Sequence, residues 1–341
     1  MQARINRQIT LAARPVGMIK ESDFGRREVP LAPLDDGEYR VRNVYLSLDP
    51  TIRGWMNDRD TYLPAIKIGE VMRGGGAGIV IESRNPHYAV GDRVFGMLGW
   101  QDYCTGRPDD PMPMTPVPPG VPLTAALSVL GITGLTAYVG LLEIGQPKAG
   151  ETVVVSAAAG ATGSVTGQIA KLKGCRVIGL AGSDDKCRWV TDDLGFDGCI
   201  NYRTEDITAR LRALCPRGID VFFDNVGGTI LNTVLLHIRR HARIVLCGAI
   251  SMYNAVDLPP GPANYVNLIV QRGRMEGFIF TDYMPRFPEA MAQLGEWVAA
   301  GTLKYAVDVV NGLETAPSAI NKLFTGANSG KLIVKISDEP A

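Results

Sequence analysis

Residues Val153-Val154-Val155-Ser156-Ala157-Ala158-Ala159-Gly160-Ala161-Thr162-Gly163-Ser164-Val165 read as an apolar strand, a turn of small residues and the start of a helix. In a βαβ unit such a turn suits a dinucleotide. Gly160 would let the backbone approach the pyrophosphate, and Gly163 would let the helix pack close to its strand. The helix N-terminus would offer free N–H groups and a partial positive charge. Ala158 stands where the usual fingerprint has its first glycine. Small residues at a strand-to-helix turn also arise from packing alone, so the surroundings have to decide.

Working outward, the surroundings favour a nucleotide site. Glu151–Ser156 predicts a buried strand, Ser164–Lys173 an amphipathic helix, Arg176–Leu180 the next strand, and a polar turn then leads into a helix through Leu194. Cys199–Tyr202, Val221–Asn225 and Arg243–Gly248 predict further short strands separated by helix-length segments, as a doubly wound parallel sheet requires. The first hundred or so residues differ: Gly, Pro and β-branched residues, with short alternating runs such as Tyr39–Val44 and Gly78–Glu82, predict an irregular β domain. The Gly91-Asp92 turn before Arg93-Val94-Phe95-Gly96 fits re-entry into its sheet. The strand-like run Lys331–Ile336 could return to complete that sheet. The expected division is 1–130 with 306–341 for the β domain and 131–305 for the α/β domain.

With 341 residues, two domains are expected. Hydrophobic residues at 46% and charged residues at 21% exclude a disordered chain. Lys plus Arg equals Asp plus Glu at 35 each, so no global field gathers nucleic acid or an anionic membrane. The uncharged stretch Pro111–Leu142 is long enough to span a bilayer, but prolines crowd its start. The rest reads as a buried two-helix connection broken at Gly131–Gly134. No signal-peptide pattern opens the chain, and the six cysteines show no close pairing, so a reducing cytoplasm is expected.

Cofactor choice turns on the end of the second strand. An NAD site places a carboxylate there for the ribose hydroxyls. Here the strand ends in Ala181-Gly182-Ser183 without an acid; Asp184 and Asp185 follow at a helix start, where they read as capping residues. Lys186 can reach an anion at that turn. NADP(H) is the expected cofactor, with Ser183 and Lys186 at its 2′-phosphate.

Several words in order make the chain resemble the zinc-independent medium-chain dehydrogenase/reductases, in the leukotriene B4 12-hydroxydehydrogenase/prostaglandin reductase group, which includes alkenal and curcumin double-bond reductases. They are Leu46-Ser47-Leu48-Asp49-Pro50 with Arg53, Gly99-Trp100-Gln101-Asp102-Tyr103, Gly134-Leu135-Thr136-Ala137-Tyr138, Phe223-Asp224-Asn225-Val226-Gly227-Gly228 and Cys247-Gly248-Ala249-Ile250-Ser251-Met252-Tyr253-Asn254. The resemblance implies an α/β protein with a GroES-like β-barrel domain, carrying most of the substrate wall, and a Rossmann domain. It implies that Gly160, Ala161, Thr162 and Gly163 hold the pyrophosphate, and that Lys186 and Tyr202 contact the 2′-phosphate. Thr136, Asn225, Cys247, Gly248, Ala249, Ile250, Ser251, Phe278, Ile279, Phe280 and Asn328 would complete the cofactor site. Plainer roles stand beside these: Phe278 and Phe280 as core, Cys247 as buried filler, Asn328 as a turn residue. A homodimer is also implied.

Zinc members of that superfamily resemble one another in a Gly-His-Glu word; here the stretch is Gly69-Glu70-Val71-Met72. His87, His237 and His241 share no spacing with the cysteines that would build a tetrahedral site, so no metal is expected. His237 and His241, around Arg239-Arg240, predict a solvated helix end. Without a Lewis acid, hydride addition to the β-carbon of an enone or enal is the better-supported reaction. The enolate oxygen then needs only preplaced hydrogen-bond donors, each worth roughly 3 to 4 kcal/mol. Tyr253 is the expected donor, with a rim residue packing on cofactor as its plainer role. Arg53 and Tyr62 are candidates for the substrate wall, each with a plainer role as a loop-positioning or surface-turn residue. Thr51 replaces the tyrosine many relatives carry in Asp-Pro-Tyr-Met-Arg, which removes an aromatic clamp for flat phenolic substrates. Two alternatives remain open: a quinone oxidoreductase of the same superfamily, and a non-catalytic nucleotide-binding protein of crystallin type.

Overall fold

The apolar runs become strands in two compact units; the computed structural model describes residues 4–257 and 259–339. One unit takes the chain up to Leu127 and from Val307 onward, the other Ser128–Ala306. The first forms β1 (Ile5–Leu11), β2 (Phe24–Pro30), β3 (Tyr39–Ser47), β4 (Gly76–Ser83), β5 (Arg93–Gly96), β6 (Tyr103–Gly106) and β7 (Thr115–Pro116). The second forms β8 (Thr152–Ser156), β9 (Arg176–Ala181), β10 (Gly198–Asn201), β11 (Ile219–Asp224), β12 (Ile238–Leu246) and β13 (Arg274–Gly277). The chain then returns through β14 (Val307–Asn311) and β15 (Lys331–Lys335).

The second unit is a six-stranded parallel sheet in the order β10-β9-β8-β11-β12-β13, the doubly wound order that starts in the middle and winds outward both ways. Every residue of β8 and β11 is buried, as central strands covered on both faces must be. The carboxyl ends of these two neighbours mark the point where the winding reverses. The first unit is a seven-stranded sheet ordered β14-β15-β3-β4-β5-β7, with β6 pairing β3, beside a β1–β2 hairpin. The last strand runs parallel to β14 and antiparallel to β3, so the C-terminal return does complete this sheet. Leu46, Leu48, Ile52, Met72, Trp100 and Leu332 are all but inaccessible and centre its largest core cluster. The fold is therefore a GroES-like β unit with a Rossmann unit.

Two local expectations change. The stretch Arg239–His241 is not a helix end. His237 closes a short 3-10 turn, and Arg239, Arg240 and His241 lie exposed within β12, with His241 at φ 66. Polar residues at the solvent-exposed start of a strand carry no period that separates them from a helix end. The uncharged stretch forms the helices Leu123–Ala126 and Ile132–Val139, with Gly134 inside the second and the break before it. Among the described residues no helix is long and apolar enough to cross a membrane.

Candidate functional site

The glycine turn is built by close approach. Ala157 takes a left-handed φ of 49, the Ala158 N–H donates to the Leu180 carbonyl at 3.0 Å, and the Gly160 N–H donates to the Ala157 carbonyl at 2.9 Å. A Cβ on Gly163 would lie 2.3 Å from the Ala157 carbonyl oxygen, so the helix Ala161–Leu172 can pack this close only with glycine there. No side chain caps that helix at Gly160. A twelve-residue helix thus presents its uncapped N-terminus at the end of β8, a site suited to a pyrophosphate. Ala158, in place of the first glycine, is fully buried beneath the turn.

Hydrogen bonds knit the carboxyl ends of β8, β11 and β12 together. The Ser156 hydroxyl donates to the fully buried Asp224 carboxylate at 2.8 Å, which also accepts the Val226 and Gly227 N–H groups. Burial raises the Asp224 carboxyl above its ordinary range, against the pull of these donors. The Asn225 amide donates to the Ser156 carbonyl at 2.8 Å. The Cys247 and Gly248 N–H groups donate to the Asp224 carbonyl, and the Ser251 hydroxyl donates to the Val226 carbonyl at 2.6 Å. Sequence reasoning placed Asn225, Gly248 and Ser251 here but missed Asp224, whose only signal was a charged residue directly after the apolar Val221-Phe222-Phe223.

On this edge, half-buried Tyr253 turns its phenol oxygen back toward its own loop. It accepts the Ala249 N–H at 3.2 Å and lies 3.2 Å from where a Cβ on Gly248 would sit. An accepted N–H polarises the phenol and strengthens it as a donor through its own proton. The Cys247 thiol is pushed up to about 12 by burial, with Asp224 adding to it, so it stays neutral and unreactive. Phe278 meets Phe223 and Tyr283 edge-on at 6.5 and 6.4 Å, and Phe280 stacks on Phe287 at 5.9 Å; both rings are packed, with Ile279 between them. The Thr136 hydroxyl donates to the Ile132 carbonyl within its helix.

At the end of β9, Ser183 caps the helix Asp184–Arg188, its hydroxyl oxygen accepting the Lys186 N–H at 3.3 Å. The two nearby acids are engaged elsewhere: Asp184 accepts the Asn201 amide at 2.7 Å, and Asp185 pairs with Arg188. A Cβ on Gly182 would meet the Tyr202 hydroxyl at 2.6 Å and the Arg203 Nε at 3.4 Å. A phenol and a guanidinium therefore crowd the turn where an NAD site would present a carboxylate, and the glycine is needed to admit them. Arg203 was missed from the sequence, although a basic residue directly after Asn201-Tyr202 is itself a signal.

In the first unit, Arg53 is 3% exposed and its guanidinium donates to Asn57 Oδ1 at 2.6 Å and to the Pro15 and Gly17 carbonyls at 3.0 and 3.3 Å. Burial lowers its pKa. These bonds tie the helix Thr51–Trp55 to the loop at residues 15–17, the arrangement of a loop-positioning residue. Tyr62 is exposed, shares a hydrogen bond with the Thr51 hydroxyl and meets Trp55 edge-on at 6.2 Å. Beside it, Leu63, Pro64, Met72, Arg73, Met97 and Met112 line a depression of about 370 Å³. Asn328 donates to the Gly330 carbonyl at 3.0 Å and closes the turn before β15.

Among the described residues no three His, Cys, Asp or Glu side chains converge as metal ligands, so the residues present do not fit a zinc centre. They do fit a phosphorylated dinucleotide, at the glycine-built cradle and at the end of β9, where Asp184 and Asp185 are held by Asn201 and Arg188. A Rossmann sheet with this turn and a GroES-like unit define a two-domain nucleotide-dependent dehydrogenase or reductase.

The comparisons narrow that class. Residues 7–114 match the family described as N-terminal domain of oxidoreductase, and residues 161–298 the one described as zinc-binding dehydrogenase. The chain is 43% identical over 343 residues to the NADPH-dependent curcumin reductase of Escherichia coli, covering 99% of each. It is 40% identical over 339 residues to the NADP(+)-dependent 2-alkenal reductase of Nicotiana tabacum, covering 98% of each. The crystal structure of CurA from Vibrio vulnificus in complex with NADPH superposes with a TM-score of 0.92 at 43% identity, over 98% of this chain and 100% of that one. The chain belongs to the zinc-independent medium-chain dehydrogenase/reductases, in the group of curcumin, alkenal and prostaglandin reductases.

Proposed function

We propose that this protein reduces the carbon–carbon double bond of α,β-unsaturated ketones and aldehydes at the expense of NADPH. Bound NADPH supplies the hydride that the β-carbon accepts. The observation that carries the reading is Tyr253 at the carboxyl edge of the sheet, its phenol oxygen polarised by the Ala249 N–H. The phenol donates a hydrogen bond to the oxygen on which enolate charge develops, the role a preplaced oxyanion donor plays. Asp224 acts as a positioning residue, holding the loop ends that carry Asn225 and Tyr253. Ser183, Lys186, Tyr202 and Arg203 hold the 2′-phosphate. Gly160, Ala161, Thr162 and Gly163 hold the pyrophosphate. Tyr62 and the depression beside it form substrate wall in the first unit. The substrate-wall domain is the unit up to Leu127 and from Val307 onward, and the nucleotide domain is Ser128–Ala306.

The working form is a homodimer in the cytoplasm. Six free thiols suit a reducing compartment. The edge strand β13 has no partner on its outer side among the described residues, and Tyr265, Val266, Ile269 and Val270 expose an apolar row in the same unit. The activity is tested by following NADPH oxidation with an enone and with a quinone and identifying the products. A saturated ketone from the enone supports the reading; allylic alcohol, or turnover of the quinone alone, overturns it.

A further inference from the structure

The depression beside Tyr62 lies wholly within the first unit and is walled mainly by apolar side chains, among them Leu63, Met72, Met97 and Met112. Gln101 and Arg73 are its polar members. The Gln101 amide is satisfied by its neighbours: its oxygen accepts the Asn6 and Gln8 amides at 3.1 and 2.7 Å, and its nitrogen donates to the Leu98 carbonyl at 2.9 Å. Among the described lining residues Arg73 alone is charged, and it is half-buried. Its guanidinium lies over the buried Trp55 ring, 5.5 Å from the centroid, and its Nη1 donates to the Pro64 carbonyl at 2.8 Å. These contacts use the flat face and one terminal nitrogen. Among the described residues no Asp or Glu pairs with Arg73, and its Nε and Nη2 meet no protein acceptor. That edge of a guanidinium matches the two oxygens of a carboxylate. With Trp55 and Pro64 already fixing the side chain, little freedom is lost when an anion binds. The methionines adapt to many tail shapes, so charge, more than shape, decides what this wall prefers.

We propose that Arg73 is a specificity-determining residue that selects enones bearing a carboxylate on an alkyl tail. The tail lies along Met72, Met97 and Met112, and the carboxylate bridges Arg73 Nε and Nη2. This rests on the reading that the depression is substrate wall for double-bond reduction. The ion pair forms in an apolar surround, where water competes for it less than at an open surface. It involves a part of the substrate that does not react, so it holds ground state and transition state alike. Such uniform binding lowers KM and does not raise kcat. A neutral tail of the same length keeps the apolar contacts and leaves the guanidinium edge unpaired as the depression closes over it, which is how a placed charge turns into discrimination.

The test uses the full chain with NADPH and a series of straight-chain enones that end in a carboxylate through alkyl spacers of increasing length, each beside its methyl ester. At the preferred spacer the wild type should favour acid over ester by about tenfold or more in kcat/KM, with the difference lying in KM. Arg73→Gln, which can still donate to the Pro64 carbonyl, should bring that ratio to about one. Arg73→Lys, a point charge without the fork, should keep part of it. Calorimetric titration of the saturated keto acid and its ester, with NADP(+) present, should show the same preference in wild type and its loss in Arg73→Gln, without any turnover. Acid and ester used equally by the wild type at every spacer length, or a preference that survives Arg73→Gln, would overturn the proposal. Failure of the double-bond reading shows separately, as no saturated product from acid or ester alike.

Discussion

Lys186 and Arg203 lie at the turn after β9, where Asp184 accepts the Asn201 amide and Asp185 pairs with Arg188. Lys186→Ala and Arg203→Ala should each weaken NADPH by about tenfold or more while changing NADH much less, a charge-assisted contact being worth about 1.5–3 kcal/mol; fluorescence titration with both nucleotides checks this. Under the proposed reaction, Tyr253 serves the chemistry instead of the binding. Removing one oxyanion donor costs about a hundredfold in kcat, so Tyr253→Phe should fall by roughly that factor with NADPH affinity nearly unchanged. An unaffected kcat would leave Tyr253 as a packing residue. Tyr253 and Lys186 could be named from the sequence because each follows a readable strand. Arg203 was passed over because the resemblance drew attention to Tyr202. The bond between Thr51 and Tyr62 was illegible, since nothing in two separated loop residues fixes their meeting.

At the level of elements, the small-residue turn and the apolar cores Val153–Val155, Val177–Leu180 and Val221–Phe223 were enough to read a doubly wound parallel sheet, because each core is followed by a helix-length segment. The start of β12 was misread because Arg239–His241 are exposed there and show no period of either kind. What holds these elements also depends on charge. Asp197 accepts the Lys171 ammonium at 2.8 Å, from the helix behind the glycine turn, and the Val177 N–H of β9 at 2.7 Å. Burial opposes its ionisation, but these two donors outweigh it and hold the carboxyl below its ordinary value. A depressed folded-state pKa gives stability that is full above about pH 4, where an unfolded carboxylate is ionised, and lost as pH falls through the lower folded value. Urea unfolding should therefore show wild type losing more stability than Asp197→Asn between neutral and acid pH. Parallel curves would remove Asp197 from the account.

For the whole molecule, the family relation spans nearly the full chain, yet the groups argued to act come from separate strands: the ends of β8, β9, β11 and β12. Assembly is open to a direct check. Ile269→Glu, within the exposed apolar row, should convert dimer to monomer in sedimentation velocity, and a wild-type protein that sediments as a monomer would contradict the dimer. The decisive observation concerns where the hydride goes. With NADPH deuterated at the transferred position and an enone as substrate, product analysis by NMR should find deuterium on the β-carbon of a saturated ketone; deuterium on the carbinol carbon of an allylic alcohol would contradict the account.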